Sequence, residues 1–318
     1  MNLSARPSTL FADLDVLVET DVLLGKLTWY GIGGPADFLV HPRSVEALST
    51  LAWRAKREGI PLRTLGSGAN LLVADEGVDG IVVKLDAPAF LETRFNESGN
   101  VEAMRVGAGA DLAKTLNDTV RRGLEGLSQM AGIPASIGGA IRMNAGGAYG
   151  AIGDSVHSVG CMSDTGEIRV YPASELVFGY RTTNIPDPIV LWAAFRMHET
   201  DPIALRERVK EIFAYKKSTQ PLADHSAGCM FKNPTDPATG ERVSAGKLID
   251  LAGLKGTRVG GAEISPRHGN FFTAQPGTRA RDLVELVRIA KSKVRAVHGI
   301  ELHCEVAYWS RGEDEVMR

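Results

Sequence analysis

The chain has 318 residues, 44% of them hydrophobic and 23% charged, with a formal net charge of −2. That length predicts two or three domains, and the intermixed, nearly balanced charge argues against a nucleic-acid or anionic-membrane surface. No apolar run approaches the length of a membrane span, the amino terminus lacks the apolar centre of a secretion signal, and Cys161, Cys229 and Cys304 are widely scattered. These features predict a cytoplasmic protein with no disulfide framework and no metal site.

In chain order, the first signal is Gly31-Ile32-Gly33-Gly34, a Gly-rich bend. Val45, Leu48, Leu51, Ala52 and Ala55 then form a helical apolar stripe, with Ser44 placed to cap it and Gly59 to stop it. Residues 62–73 read as a short apolar strand, the polar turn Gly66-Ser67-Gly68-Ala69-Asn70, and a second apolar run. Strands are predicted at 81–85 and 101–106. A helix marked by Leu112, Leu116 and Val120 follows, capped by Asp111 and ended by Gly123. The middle is rich in strand-like runs (156–162, 167–171, 189–197), which does not match a doubly wound nucleotide fold. Two amphipathic helices are predicted at 203–217 and 279–297, the second with Leu283, Leu286, Ala290, Val294 and Val297 on its buried face. Residues 301–309 alternate as a last strand, and residues 312–318 are expected to fray.

The densest signal lies at 126–147, where Gly132, Gly138, Gly139, Gly146 and Gly147 are interleaved with Pro134, Ser136 and Asn144. Glycines at this density let backbone amides approach anionic oxygens, as a nucleotide diphosphate requires; a tight turn between core elements explains them equally well. The 66–70 turn has the same character and favours the cofactor reading. Neither loop fits a dinucleotide-fold or P-loop fingerprint. Three other places carry candidate chemistry. Cys229, in Ser226-Ala227-Gly228-Cys229-Met230-Phe231-Lys232-Asn233-Pro234, is either a buried structural thiol or a group set in a tight turn beside a ligand. Arg181, in Phe178-Gly179-Tyr180-Arg181, is either a surface ion-pair partner or a carboxylate and enolate binder. Glu305 shares the polar face of the last strand with Glu301 and His303, and acts as a proton donor only where that face lines a cleft.

Taken together, these segments, with Gly246-Lys247-Leu248-Ile249-Asp250-Leu251 and His268-Gly269-Asn270-Phe271, resemble the UDP-N-acetylenolpyruvoylglucosamine reductase family over residues 26–309. The resemblance implies an α+β architecture: an FAD-binding fold of the vanillyl-alcohol-oxidase (PCMH) type in two subdomains, plus a C-terminal α+β substrate-binding domain. The implied divisions are 1–85, 86–200 and 201–305, with the tail 306–318 packing back on the first. It also implies FAD and NADPH as cofactors and UDP-N-acetylglucosamine enolpyruvate as substrate. No nucleic acid, membrane or obligate protein partner is implied. In the reaction the resemblance implies, hydride would pass from flavin N5 to the terminal enolpyruvyl carbon, Arg181 and Glu305 would stabilise the enolate, and Cys229 would protonate the adjacent carbon.

The cofactor-binding set implied by the resemblance begins with Gly33, Gly66, Ser67, Gly68, Ala69, Asn70, Leu71 and Gly107. It continues with Ala131, Gly132, Ile133, Pro134, Ser136, Ile137, Gly138, Gly139, Ala140, Asn144 and Gly146. Tyr180, Lys217, Asn233, His268 and Asn270 are the implied substrate contacts. The family's usual donor is Ser, and here it is Cys229. A thiol titrates near about 8.5, so it is the better acid, and activity is expected to fall as it ionises; a Cys229→Ser variant with an unchanged pH profile would contradict this. The chain also resembles the short-loop branch of the family, since no long Tyr-bearing loop fits between Arg181 and residue 189. Two other readings are an oxidase or dehydrogenase on the same FAD scaffold, separable by whether a sugar nucleotide reoxidises the flavin, and a flavin-free sugar-nucleotide binder, separable by colour.

Overall fold

The computed structural model describes residues 7–95, 103–221, 225–312 and 314–317. Local chemistry explains where its helices begin. The Ser44 hydroxyl accepts from the Ala47 amide at 3.1 Å and opens Val45–Arg57, while Asp111 accepts from the Lys114 amide at 2.8 Å and opens Leu112–Arg121. Both caps were legible as Ser or Asp immediately before the apolar stripe.

The chain divides into two compact units. The first comprises Met1–Thr20, Phe38–Ser67 and Gly80–Tyr215. It holds an antiparallel sheet ordered Ile168–Pro172, Val156–Met162, Ile189–Arg196, Ala103–Gly107, Thr93–Phe95. Residues 101 and 102 of the expected 101–106 strand lie outside the described residues. The central strand Ile189–Arg196 is buried at nearly every position, which its continuous apolar run dictates. The short helix Ile137–Arg142 packs on that strand and carries the second Gly-rich loop. A further sheet orders Val16–Leu23, Pro35–Pro42, Val78–Lys84 and Leu62–Leu65, with Leu62 opposite Ile81 in the parallel pair. One core takes Phe38, Val40 and Leu51 together with Met104, Val106 and Phe195. The division expected at 86 therefore falls inside this unit, and residues on both sides of it share a core.

The second unit comprises Asp21–Asp37, Gly68–Asp79 and Lys216–Arg318. Helix Ala280–His298 packs on the small sheet Arg258–Val259, Ala262–Ile264, Phe272–Ala274. Leu283, Leu286, Val287, Ala290 and Val294 are fully buried there, each large aliphatic stabilising the unit by about 1.5–3 kcal/mol relative to exposure. Val297, expected on that face, is 49% exposed in the helix's last turn, just before left-handed Gly299.

Two expectations for the chain's end are corrected. Only Ala307–Trp309 forms a strand, pairing parallel with Leu71–Val73; the preceding residues meet the short 229–232 segment through the single bridge Phe231↔Cys304. The final residues do not all fray: Glu315–Met317 forms a 3-10 turn, and Met317 is buried in the second unit's core. Among the described residues no helix is long and apolar enough to cross a membrane, and no His/Cys/Asp/Glu group could hold a metal ion.

Candidate active site

The two Gly-rich loops are built by close approach. A Cβ on Gly66 would fall 2.4 Å from the Ser136 hydroxyl, so in the first unit the two loops touch where neither has room for a side chain. Gly68 has φ 68°, and a Cβ there would lie 2.1 Å from the Leu27 carbonyl oxygen. Gly33 and Gly107 are equally tight, against Val73 and the Phe90 backbone. Ala131, Ser136, Ile137, Ala140 and Leu71 are buried, while Pro134 and Gly139 lie at the surface. Gly132, Ile133, Gly138 and Gly146, like Ser67 and Ala69, are half-buried.

Not every amide of the second loop is open to a ligand. Those of Ile137 and Gly138 donate to the Ala110 and Ala108 carbonyls at 2.9 and 2.8 Å, and the Gly139 amide donates to the Ser136 hydroxyl at 3.3 Å. The donor set nevertheless suits a dinucleotide diphosphate. Residues 65–71 and 131–140 contain no acidic side chain and carry the hydroxyls of Ser67 and Ser136. Beside them the Lys84 amine donates to the Gly66 carbonyl at 3.2 Å. Sequence reasoning missed Lys84, although a lone lysine within Ile81-Val82-Val83-Lys84-Leu85 was a signal. Burial pushes its pKa down, with Asp86 opposing.

Arg181 occupies the second position of a two-residue hairpin loop, with Gly179 opposite Thr182 and Phe178 opposite Thr183. Its φ is 56°, the left-handed region that costs a non-glycine residue about 1–2 kcal/mol. Its guanidinium lies 5.4 Å from the Tyr180 ring centroid, and both side chains are half-buried.

Cys229 and Glu305 come together in the second unit. The Glu305 amide donates to the Met230 carbonyl at 2.8 Å, the Lys232 amide to the His303 carbonyl at 2.9 Å, and Cys229 bridges to Phe271. Glu305 is half-buried, unlike exposed Glu301 and His303, so the polar face of the expected strand is not uniformly solvated. Asn70, in the 66–70 turn, meets this segment: its side-chain amide donates to the Glu305 carbonyl at 3.0 Å, and its own backbone carbonyl accepts from the Ala307 amide.

Asn270 is 2% exposed, and its side chain holds the Cys229 segment from behind. Its Oδ1 accepts from the Phe231 amide at 2.9 Å and its Nδ2 donates to the Phe231 carbonyl at 2.8 Å. His268 Nδ1 accepts from the Asn270 amide at 3.2 Å, and burial pushes the imidazole pKa down. Asn233 Oδ1 accepts from the Ala245 amide at 3.0 Å, at the start of helix Ala245–Leu251. Lys217 is exposed, whereas its neighbour Lys216 is buried; the motif Tyr215-Lys216-Lys217 did not distinguish them. Behind Cys229, Tyr30 is fully buried with its hydroxyl near the Ala227 backbone, and burial raises its pKa.

Comparison with known proteins agrees with this geometry. Residues 36–171 match a family model described as an FAD binding domain, and residues 220–309 match the UDP-N-acetylenolpyruvoylglucosamine reductase C-terminal domain. The chain is 38% identical to the UDP-N-acetylenolpyruvoylglucosamine reductase of Heliobacterium modesticaldum, covering 89% of this chain and 88% of the relative. It is 36% identical to that of Moorella thermoacetica, covering 98% and 100%. The crystal structure of the UDP-N-acetylenolpyruvylglucosamine reductase from Thermus caldophilus superimposes with a TM-score of 0.78 at 38% identity, over 93% of this chain and all of that one. The α+β, FAD-binding architecture expected from sequence is thereby confirmed.

Proposed function

The chain belongs to the UDP-N-acetylenolpyruvoylglucosamine reductase family and is an FAD-dependent enzyme, and from that premise we propose the following division of labour for it. It reduces UDP-N-acetylglucosamine enolpyruvate to UDP-N-acetylmuramate in the cytoplasm, with NADPH as reductant. The flavin, when bound, supplies the relay of hydride from NADPH to the terminal enolpyruvyl carbon. Loops 65–71 and 131–146 hold its diphosphate, and Lys84 adds positive charge beside the Gly66 carbonyl.

Arg181 and Glu305 stabilise the enolate that develops as the enolpyruvyl group is reduced, a preorganised electrostatic role. The Cys229 thiol then gives its proton to the carbon adjacent to the reduced one. Lys217 binds the diphosphate of the sugar nucleotide, and Tyr180, Asn233 and His268 position its remainder. Asn270 is assigned to holding the backbone that carries Cys229, since both ends of its amide already bond Phe231. The observation that supports this reading is the backbone pairing of the segments that carry Cys229 and Glu305.

The test is anaerobic. The protein is reduced with NADPH, mixed with UDP-N-acetylglucosamine enolpyruvate, and followed by flavin absorbance. Prompt return of the oxidised spectrum with formation of UDP-N-acetylmuramate is expected, and Cys229→Ala should slow that return by roughly 10²–10⁴-fold, the usual contribution of a positioned acid. A flavin that stays reduced until oxygen enters would assign the chain to oxidase chemistry instead.

A further inference from the structure

Arg142 and Asn144 sit in the second Gly-rich loop, yet their side chains turn toward a different target. Helix Ile137–Arg142 ends with Asn144 in the left-handed region at φ 40°; the Asn144 amide donates to the Ile141 carbonyl at 3.1 Å and the Ala145 amide to the Ala140 carbonyl at 2.8 Å. This pattern of closure commonly takes glycine at that position. Asparagine there brings a side chain, and that side chain is 7% exposed and engaged at both ends. Its Nδ2 donates to the Gly179 carbonyl at 2.8 Å and its Oδ1 accepts from the Gly153 amide at 3.1 Å. Arg142, two residues earlier, donates from Nη1 to the Ile185 carbonyl at 3.0 Å and from Nη2 to the Asp187 carbonyl. The Asp187 carboxylate is itself buried and accepts from the Tyr171 hydroxyl at 2.7 Å.

These bonds bracket the hairpin that carries Arg181. Asn144 grips its entry at Gly179 and Arg142 grips its exit at Ile185 and Asp187. The hairpin needs such support. Two-residue hairpin loops normally have a left-handed residue at the first position or at both, which matches strand twist; here only the second position, Arg181, is left-handed. Phe178, before the loop, packs so closely on Gly153 that a Cβ there would fall 2.4 Å from its ring, and the Gly153 amide is the one Asn144 holds.

We propose that Arg142 and Asn144 are positioning residues for the reductase reaction, clamping the 178–187 hairpin so that Arg181 is presented in its left-handed conformation. This inference rests on the enolate-stabilising role proposed above for Arg181. Through this clamp the loop that holds the cofactor also fixes the arginine that acts on the substrate.

The experiment uses the FAD-loaded enzyme and measures the two half-reactions separately in Arg142→Lys and Arg142→Ala, each alone and combined with Arg181→Ala. Flavin content and reduction by NADPH should stay within about twofold of the parent, while substrate-driven reoxidation slows by about tenfold to a hundredfold, the scale of an ångström's misplacement. Arg142→Lys, which keeps the charge but loses the two-carbonyl fork, should fall between parent and Arg142→Ala, and it decides the matter if the alanine variant does not fold. Adding Arg142→Ala to Arg181→Ala should cost nothing further. Equal slowing of both half-reactions, loss of FAD, or a full additional loss in the Arg181→Ala background would overturn the clamp. Arg142 variants that reoxidise normally while Arg181→Ala is crippled overturn this inference alone. An Arg181→Ala enzyme that reoxidises at the parental rate removes the role of Arg181 and the clamp with it.

Discussion

The imidazole of His268 stands in the second unit with Nδ1 accepting from the Asn270 amide, and Asn270 in turn holds the Cys229 segment. Burial favours the neutral ring, and the nearby Lys255 works in the same direction. A histidine whose folded pKa is depressed stabilises the fold fully above its unfolded value near about 6.5, and that stability is lost as pH falls below it, because the unfolded chain binds the proton more readily. The urea midpoint of the parent should therefore fall between pH 7 and 5, and by less in His268→Asn, which keeps a short acceptor for the Asn270 amide. Equal falls in the two proteins would show that the acid sensitivity lies elsewhere. At this scale the sequence was readable where a residue type announces its task by position, as with Ser44 just before its apolar stripe. It did not show that the Asn270 amide bonds Phe231 at both ends, nor what surrounds Arg142 and Lys216. Their roles depend on which backbone folds across them from far along the chain, and no local spacing records that.

At the scale of elements, glycines of similar appearance divide into two kinds. Gly299 ends helix Ala280–His298 at φ 68°, donating to the Arg295 carbonyl at 2.9 Å, and a Cβ there would meet open space. Gly68 has the same φ, but its Cβ would strike the Leu27 carbonyl oxygen. Gly299→Ala should thus cost only the backbone term, about 1 kcal/mol, whereas Gly68→Ala must also displace the chain at Leu27 and Thr28. The expected result is a larger drop in Tm for Gly68→Ala, with a lower flavin-to-protein ratio that Gly299→Ala does not show. Matching losses would mean that the 66–70 turn is not held to its shape by Leu27. The helices were legible because a cap and a 3.6-residue stripe are local properties: Ser44, Asp111 and Gly59 all perform as their positions predicted. The last strand was over-read for the opposite reason. Its alternation of buried Leu302 and Val306 with exposed Glu301 and His303 is real, but a strand also needs a partner long enough to pair with, and residues 229–232 supply one bridge.

For the molecule as a whole, the two units are threaded through each other in sequence: Asp21–Asp37 and Gly68–Asp79 belong to the second unit although they interrupt the first. The first Gly-rich turn is divided by this threading, with Gly66 and Ser67 in one unit and Gly68, Ala69 and Asn70 in the other. Each unit has its own core, so each has its own intrinsic stability. FAD bound only by the folded chain should stabilise it by about 2.7 kcal/mol at a free concentration one hundred times its Kd, and raise Tm accordingly. Followed by flavin release and by tryptophan fluorescence, the FAD-loaded protein should therefore melt at a higher temperature than the flavin-free protein, and the gap should widen as free FAD is added. A Tm that does not move with added FAD would show that the folded chain does not bind the flavin in preference to the unfolded one, because only a ligand with that preference can shift the midpoint.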